Sequence, residues 1–272
     1  MADNWHRAKV QVNQWFGSNK ENSMIALLGI DCATNPKKTG LALGELRGEV
    51  VHILHCATGT RDETPAAIAV SWLDNYEEAL IALDAPLGWP QKLGICLSTH
   101  RAGLPVQAEA NQLFRRMTDV AIKERLGKQP LEVGANLIAR TAVSALMLLD
   151  QIRRSTGRRI PLAWVPKETE RWRAIEVYPA ATRIGHGAPD IGGSLVGLDE
   201  LLDCAAVSSE LARSEDAVDA AVCALAAADF LSGRAAPPQD HDTASVEGWI
   251  WAPMSRQPNQ SFHRIAQTAG SR

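Results

Sequence analysis

Residues 24–31 read MIALLGID, an apolar run that ends on an aspartate. A continuous apolar run of this length is typical of a strand that is buried on both faces. Residues 79–84 read ALIALD, and this second run also ends on an aspartate, just before Ala85 and Pro86. In an α/β sheet, binding sites are assembled at the carboxyl ends of the strands. The sequence therefore predicts that Asp31 and Asp84 lie together at one end of a buried sheet.

The segment between these two runs predicts two further strands, from about Leu41 to Leu46 and from about Glu49 to Cys56, with a tight turn at Arg47 and Gly48. A helix is predicted from about Asp62 to Asn75. Three meandering strands, a helix and a fourth strand indicate an α/β fold. We expect a mixed sheet, in which three antiparallel strands are followed by parallel strands, with helices flanking the sheet.

Helical patterns then occur near Gln107 to Leu126 and from Asn136 to Arg154. We interpret the region from about 86 to 170 as a helical insertion after the fourth strand. A strand pattern returns at Arg173 to Pro179, and an Ala-rich helix is predicted from Ser214 to Leu231 because Ser214 can cap it and Gly233 can end it.

The domain organisation follows from these patterns. We expect a polar N-terminal extension, one domain with its insertion, and a disordered polar tail, over residues 1–23, 24–253 and 254–272. The five cysteines are widely spaced and form no C-x-x-C pair, which favours a reducing, cytoplasmic compartment. No apolar run approaches the roughly 20 residues that span a bilayer, so we expect no membrane contact.

Two further acids lie three residues apart, at Asp216 and Asp219, and therefore share one face of the last predicted helix. Alternatives are open for most of the acids: Glu215 and Asp216 could be first-turn acids that the helix dipole favours, and Asp31 or Asp84 alone could start a turn. Asp219 is harder to explain in this way. It lies in the second turn of a helix that is apolar nearly all round, where an unpaired carboxylate is costly.

Carboxylates that are brought together repel and raise one another's pKa, so a cluster of them persists most readily when a divalent cation neutralises it. Oxygen ligands favour Mg²⁺ or Mn²⁺. Such ions activate water and stabilise an in-line displacement at phosphorus. We therefore predict a metal-dependent site that hydrolyses phosphodiesters, with Asp31, Asp84, Asp216 and Asp219 as catalytic residues and metal ligands.

Two charged residues elsewhere have open interpretations. Glu176, in the strand RAIEVYP, is either an additional catalytic ligand or a salt-bridge partner of Arg173 or Arg183. Arg116 and Asp119 are three apart on a predicted helix, which favours an exposed ion pair. Arg116 could instead hold a substrate phosphate.

The overall charge limits how nucleic acid could bind. The formal net charge is -3 and the pI is about 6.2. These values argue against the diffuse positive field of a protein that coats nucleic acid. Contact must therefore be local, and Lys37 and Lys38, on the loop after Asp31, are the best-placed candidates for binding a substrate phosphate. The alternative is that this pair is simply part of a solvated face.

Six motifs together resemble the family known as domain of unknown function 429, which is described as predicted nucleases of RNase H fold. They cover roughly residues 24–253, and they read GIDCA (29–33), ALDAPLGWP (82–90), RRMTD (115–119), IEVYPAAT (175–182), DAVDAAVCALAA (216–227) and EGWIWAP (247–253). The strand order and acids also resemble the wider RNase H-like superfamily. The resemblance implies that one aspartate lies on the first strand, another acid at the end of the fourth and one or two on the last helix.

The leading hypothesis is a Mg²⁺- or Mn²⁺-dependent nuclease that acts on DNA or RNA. Asp31 would bridge the metals, Asp84 and Asp219 would complete the ligand set, and Asp216 would be a ligand or an outer partner. Two alternatives stay open. One is a non-catalytic binding module of the same fold, and the other is an ATP-binding phosphotransferase of the actin-like superfamily, which should show two copies of the core.

Overall fold

A computed structural model describes residues 24–134 and 136–253 of the chain. The predicted N-terminal extension and disordered tail lie outside these residues. The first half of the fold contains three strands, a helix, a fourth strand and then a run of helices. These elements are β1 (Ile25–Asp31), β2 (Gly40–Arg47), β3 (Val50–Thr58), α1 (Pro65–Leu73), β4 (Glu78–Asp84), α2 (Gln91–Ser98), α3 (Ala110–Phe114), α4 (Met117–Leu126) and α5 (Asn136–Thr156).

The second half returns to the sheet and then ends in helices. Its elements are β5 (Trp172–Glu176), α6 (Pro179–Gly185), β6 (Leu202–Asp203), α7 (Ser208–Leu211), α8 (Glu215–Leu231) and α9 (His241–Glu247). Short 3-10 helices lie at Pro36–Lys38 and Ala205–Val207. Helices α2 to α5 all lie between β4 and β5, where the helical insertion is predicted.

The strands form one six-stranded sheet in the order β5-β4-β1-β2-β3-β6. Strand β1 pairs antiparallel with β2, and β2 pairs antiparallel with β3. The pairs β1 with β4, β4 with β5, and β3 with β6 are parallel. The predicted mixed sheet flanked by helices is thus confirmed, and the architecture is consistent with an RNase H-like fold.

Each face of the sheet has its own hydrophobic core, since side chains alternate between faces along a strand. Leu27 of β1 and Leu80 of β4 pack with α8 on one face. Leu28 and Ile81, one residue further along, pack with α1 and α5 on the other face. By the same alternation, the last residues of β1 and β4 project on the α8 face.

Helix α8 lies unusually close to the sheet, and two glycines make this approach possible. A Cβ added at Gly29 in β1 would lie 2.0 Å from the carbonyl oxygen of Ala220 and 2.5 Å from the amide nitrogen of Ala224. A Cβ added at Gly40 in β2 would lie 2.0 Å from the carbonyl oxygen of Asp216. The backbone of α8 therefore rests directly on β1 and β2, with no side chain between them.

The helical pattern near Gln107 to Leu126 corresponds to two helices, α3 and α4, because the chain leaves helical geometry between them. Arg116 is extended, and its backbone N–H donates a 2.9 Å hydrogen bond to the Asp119 carboxylate. This local bond closes the first turn of α4 and ends the continuity with α3. The strand expected to continue to Pro179 is also shorter, since β5 ends at Glu176 and Pro179 begins α6.

In the part of the chain that the structure describes, no helix is both long enough and apolar enough to cross a membrane.

We predict that Gly29→Ala lowers the free energy of unfolding by about 2 kcal/mol or more, because its methyl group would meet helix backbone that no side-chain rotation can move. The matched control is Gly94→Ala in α2, where an added Cβ has nothing within 4 Å and where alanine favours the helix by up to about 1 kcal/mol. Urea unfolding of both variants measures the difference. Equal stability of the two variants would contradict the close packing of α8.

Candidate active site

Asp31 and Asp84 are the last residues of two neighbouring parallel strands. They are direct partners in the register of β1 and β4, so their Cα atoms face one another across the ladder. Both side chains project on the α8 face, and both are only partly exposed. The expectation that these two acids end adjacent strands at one edge of the sheet is confirmed.

Helix α8 brings the other two acids to the same place. Ser214 caps the helix, and its hydroxyl accepts a hydrogen bond from the amide of Ala217. Since the backbone of Asp216 rests on Gly40, which is the β2 partner of Asp31, the first turn of α8 lies beside the end of β1. Asp219 follows one turn later. The four predicted aspartates therefore gather where β1 and β4 end.

Asp219 has partners that the sequence analysis did not assign. Its Oδ1 atom accepts a 2.9 Å hydrogen bond from the amide of Gly193 and forms an ion pair with Nη2 of Arg183. Arg183 lies in α6, is buried, and also donates from Nε to the carbonyl oxygen of Ser194 at 3.0 Å. The sequence signal for α6 was available, because Pro179 is typical of a first helical position and Gly185 of a helix end.

The proximity of the acids changes their protonation. Burial, followed by the charges of Asp219 and Asp216, raises the pKa of Asp31 from 3.8 to about 7, although Arg183 opposes the shift. Burial and the charges of Asp31 and Asp219 likewise raise the pKa of Asp84 well above its usual range. Without a cation to neutralise them, the folded state therefore favours the protonated forms of Asp31 and Asp84.

Lys38 belongs to the same edge, on the 3-10 helix that follows β1. Burial raises the pKa of Asp216, and the nearby Lys38 ammonium opposes this shift. Lys37 and Lys38 are both exposed, and both lie on a short helix capped by the side chain of Asn35. Lys38 therefore lies near Asp216 at the edge of the aspartate cluster.

Glu176 lies close enough to Asp84 for its charge to raise the pKa of Asp84, but its carboxylate is held by other partners. It is paired in register with Leu83, which packs on the α1 and α5 face of the sheet, and parallel partners project on the same face. Its carboxylate is buried against Arg116, with an Oε1 to Nη2 distance of 2.8 Å, and Oε2 accepts from the amide of Leu87 at 2.9 Å. Its salt-bridge partner is therefore Arg116, and neither Arg173 nor Arg183.

The ion pair between Arg116 and Asp119 forms as predicted, with Nη2 3.0 Å from Oδ1, but it is buried and the expected exposure is wrong. Arg116 also donates to the carbonyl oxygen of Glu247 at 3.2 Å. Burial lowers the pKa of Arg116, but the charges of Glu176 and Asp119 outweigh it and raise that pKa overall. A substrate phosphate at Arg116 would have to displace one of these partners.

The ligand chemistry at the strand ends fits a hard divalent cation, since all four acids offer carboxylate oxygens. As the side chains stand, however, the described residues contain no group of three His, Cys, Asp or Glu side chains that could hold a metal ion. Asp219 is turned onto Arg183 and Gly193 instead. Metal binding would therefore require these side chains to rearrange.

These features define an α/β protein of mixed sheet with a cluster of aspartates at the carboxyl ends of its first and fourth strands. A family model described as "Protein of unknown function (DUF429)" matches residues 29–243 of the chain. The match covers most of the chain, and the protein therefore belongs to the domain of unknown function 429 family, as its motifs indicate. A search of curated proteins finds no match.

We predict that Asp31→Asn stabilises the metal-free protein at neutral and higher pH. The folded-state pKa of about 7 lies above the ordinary 3.8, so ionising Asp31 opposes folding. The wild type should lose stability relative to the variant as the pH rises between these two values, by about 2 to 4 kcal/mol at completion. Below about pH 4 both side chains are neutral and the two proteins should be similar.

Urea unfolding in the presence of a chelator, at a series of pH values, measures this difference. Asp74→Asn is the control, because Asp74 is exposed at the end of α1, before β4 begins. If the stabilities of wild type and Asp31→Asn changed in parallel with pH, the raised pKa of Asp31 would be refuted.

Proposed function

We propose that the protein is a divalent-metal-dependent nuclease that hydrolyses phosphodiester bonds at the aspartate cluster. One observation carries the proposal: Asp31 and Asp84 are register partners at the ends of adjacent parallel strands, and α8 brings Asp216 and Asp219 over the same edge. A structural role for four acids gathered at one point is hard to justify, because each raises the cost of ionising its neighbours.

The donor chemistry supports Mg²⁺ or Mn²⁺ as the cofactor. Asp31 and Asp84 would hold the ion, and Asp219 would join them after exchanging its contact with Arg183. A bound ion would activate water and neutralise the charge that develops at the phosphorus centre. Asp216 would remain an outer partner, since it lies at the first turn of α8 beside Lys38.

The chain's own cations would divide the remaining tasks. Lys37 and Lys38 are both exposed, Lys38 lies near Asp216, and the pair would contact a substrate phosphate. Arg183 is buried and forms an ion pair with Asp219. It would therefore position the Asp219 carboxylate and would not contact the substrate. A pair of exposed lysines on a protein of net charge -3 supports a local phosphate contact.

A second candidate function is a non-catalytic binding module, and the ion pair between Arg183 and Asp219 favours it. That pair already neutralises one acid without a metal ion. The actin-like alternative has less support, because the described strands form a single six-stranded sheet and a second copy of the core is not found among them.

We predict that the wild type cleaves at least one of labelled single-stranded, duplex, branched and hybrid DNA and RNA substrates when Mg²⁺ or Mn²⁺ is present, and none with chelator. Asp31→Asn and Asp219→Asn should each reduce the rate by about a hundredfold or more, because each removes a charged ligand. Asp74→Asn should cleave at the wild-type rate, since Asp74 follows α1 and precedes the opposite end of β4.

Two results would contradict the nuclease. One is the absence of cleavage of every substrate by a folded preparation. The other is a cleavage rate that Asp31→Asn and Asp219→Asn leave unchanged, which would place the activity elsewhere or in a contaminant. Wild-type and variant proteins should therefore be purified in parallel and compared at equal folded fraction.

A further inference from the structure

A cavity of about 200 Å³ opens directly beside the aspartate cluster, and Asp84 belongs to both. The cavity begins where β4 and β5 end, so Asp84, Glu176 and Tyr178 contribute to it. It is smaller than the 300 to 1,000 Å³ of pockets for drug-sized ligands, and it suits a single ring system.

The inserted helices supply the opposite wall. Pro130 and Leu131 precede α5, and Ile138 and Thr141 lie in its first turns, so these four residues close the cavity against the strand ends. Leu131 is 67% exposed and forms part of the rim. The wall is mainly apolar, and the insertion therefore determines what can lie next to the acids.

The floor of the cavity is polar but already paired. Arg116 and Glu176 form a buried ion pair there, and Arg116 is paired with Asp119 as well. Groups that satisfy one another in this way do not demand a charged ligand. A neutral, flat ligand with polar edges would fit between the apolar wall and the ion-paired side chains of the floor.

Tyr178 adds an aromatic surface and an available hydroxyl. Within the described residues its side chain forms no hydrogen bond, although its backbone carbonyl accepts from Thr182. Burial and the charges of Asp84 and Asp190 raise the pKa of Tyr178 to about 12, so the phenol stays protonated and can donate. Aromatic side chains are the usual stacking surface for unpaired bases, and stacking tolerates any base.

We propose that this cavity holds one unpaired nucleobase of the substrate while the adjoining phosphate lies at the aspartates. The inference rests on the proposed nuclease function and names its substrate class. A base can enter a cavity walled by Leu131, Ile138 and Tyr178 only when it is free of its pairing partner. The preferred substrate is therefore single-stranded or locally unpaired nucleic acid.

The test measures binding of adenosine, guanosine, cytidine and thymidine by ligand-observed NMR titration in the presence of a chelator. Nucleosides carry no phosphate, so the metal site does not contribute. Ile138→Trp fills the cavity and should weaken binding by about tenfold or more. Leu137→Trp is the matched control, because Leu137 is exposed on the same helix and does not line the cavity.

Leu131→Ala provides a second variant in case Ile138→Trp disturbs folding. Leu131 lies at the exposed rim, so its truncation should leave the fold intact and weaken nucleoside binding by about threefold. Binding that is reduced in these two variants and kept in Leu137→Trp supports the proposal. No nucleoside binding by the wild type, or equal loss in Leu137→Trp, overturns it.

Cleavage assays on the same preparations separate this inference from the nuclease itself. Nucleoside binding without cleavage of any substrate would refute the nuclease function but still support base binding in the cavity. Cleavage of duplex as fast as single strand, unaffected by Ile138→Trp, would refute the unpaired base and leave the nuclease in place.

Discussion

The close approach of α8 to β1 and β2 is the constraint on which the rest of the site depends. Gly29 and Gly40 leave no side chain between the helix backbone and the sheet, so the backbone of α8 lies directly on β1 and β2 at these two points. That position brings the first turns of α8 to the end of β1. Alternation along β1 and β4 then directs Asp31 and Asp84 toward the helix, and packing alone assembles four acids from three elements.

This assembly is electrostatically unfavourable by itself. The raised pKa values of Asp31 and Asp84 express the cost of holding partly buried carboxylates together. One internal cation, Arg183, reaches Asp219 and opposes part of that cost. Holding these carboxylates together therefore lowers the stability of the folded protein. Such an unfavourable arrangement is typical of functional sites and uncommon in purely structural ones.

The apolar runs ending on Asp31 and Asp84 were sufficient to predict the central strands, since their length and composition leave little choice of structure. The spacing of Asp216 and Asp219 predicted their shared location equally well. The sequence could not decide whether Glu176 is a ligand or a salt-bridge partner. Strand β5 is buried on both faces, so no alternation of polar and apolar residues reveals which face a side chain takes. Arg183 was missed for a different reason: a buried partner of Asp219 comes from tertiary packing, although Pro179 signalled its helix.

We propose above that the aspartates at the ends of β1 and β4 bind a divalent cation. The most direct test of this proposal is titration of Mn²⁺ into metal-free protein, followed by electron paramagnetic resonance of the free ion, for the wild type, Asp84→Asn and Asp74→Asn. We expect saturable Mn²⁺ binding by the wild type and Asp74→Asn, and binding at least about tenfold weaker in Asp84→Asn. Absence of Mn²⁺ binding by the folded wild type, or equal affinity in Asp84→Asn, would contradict the proposal.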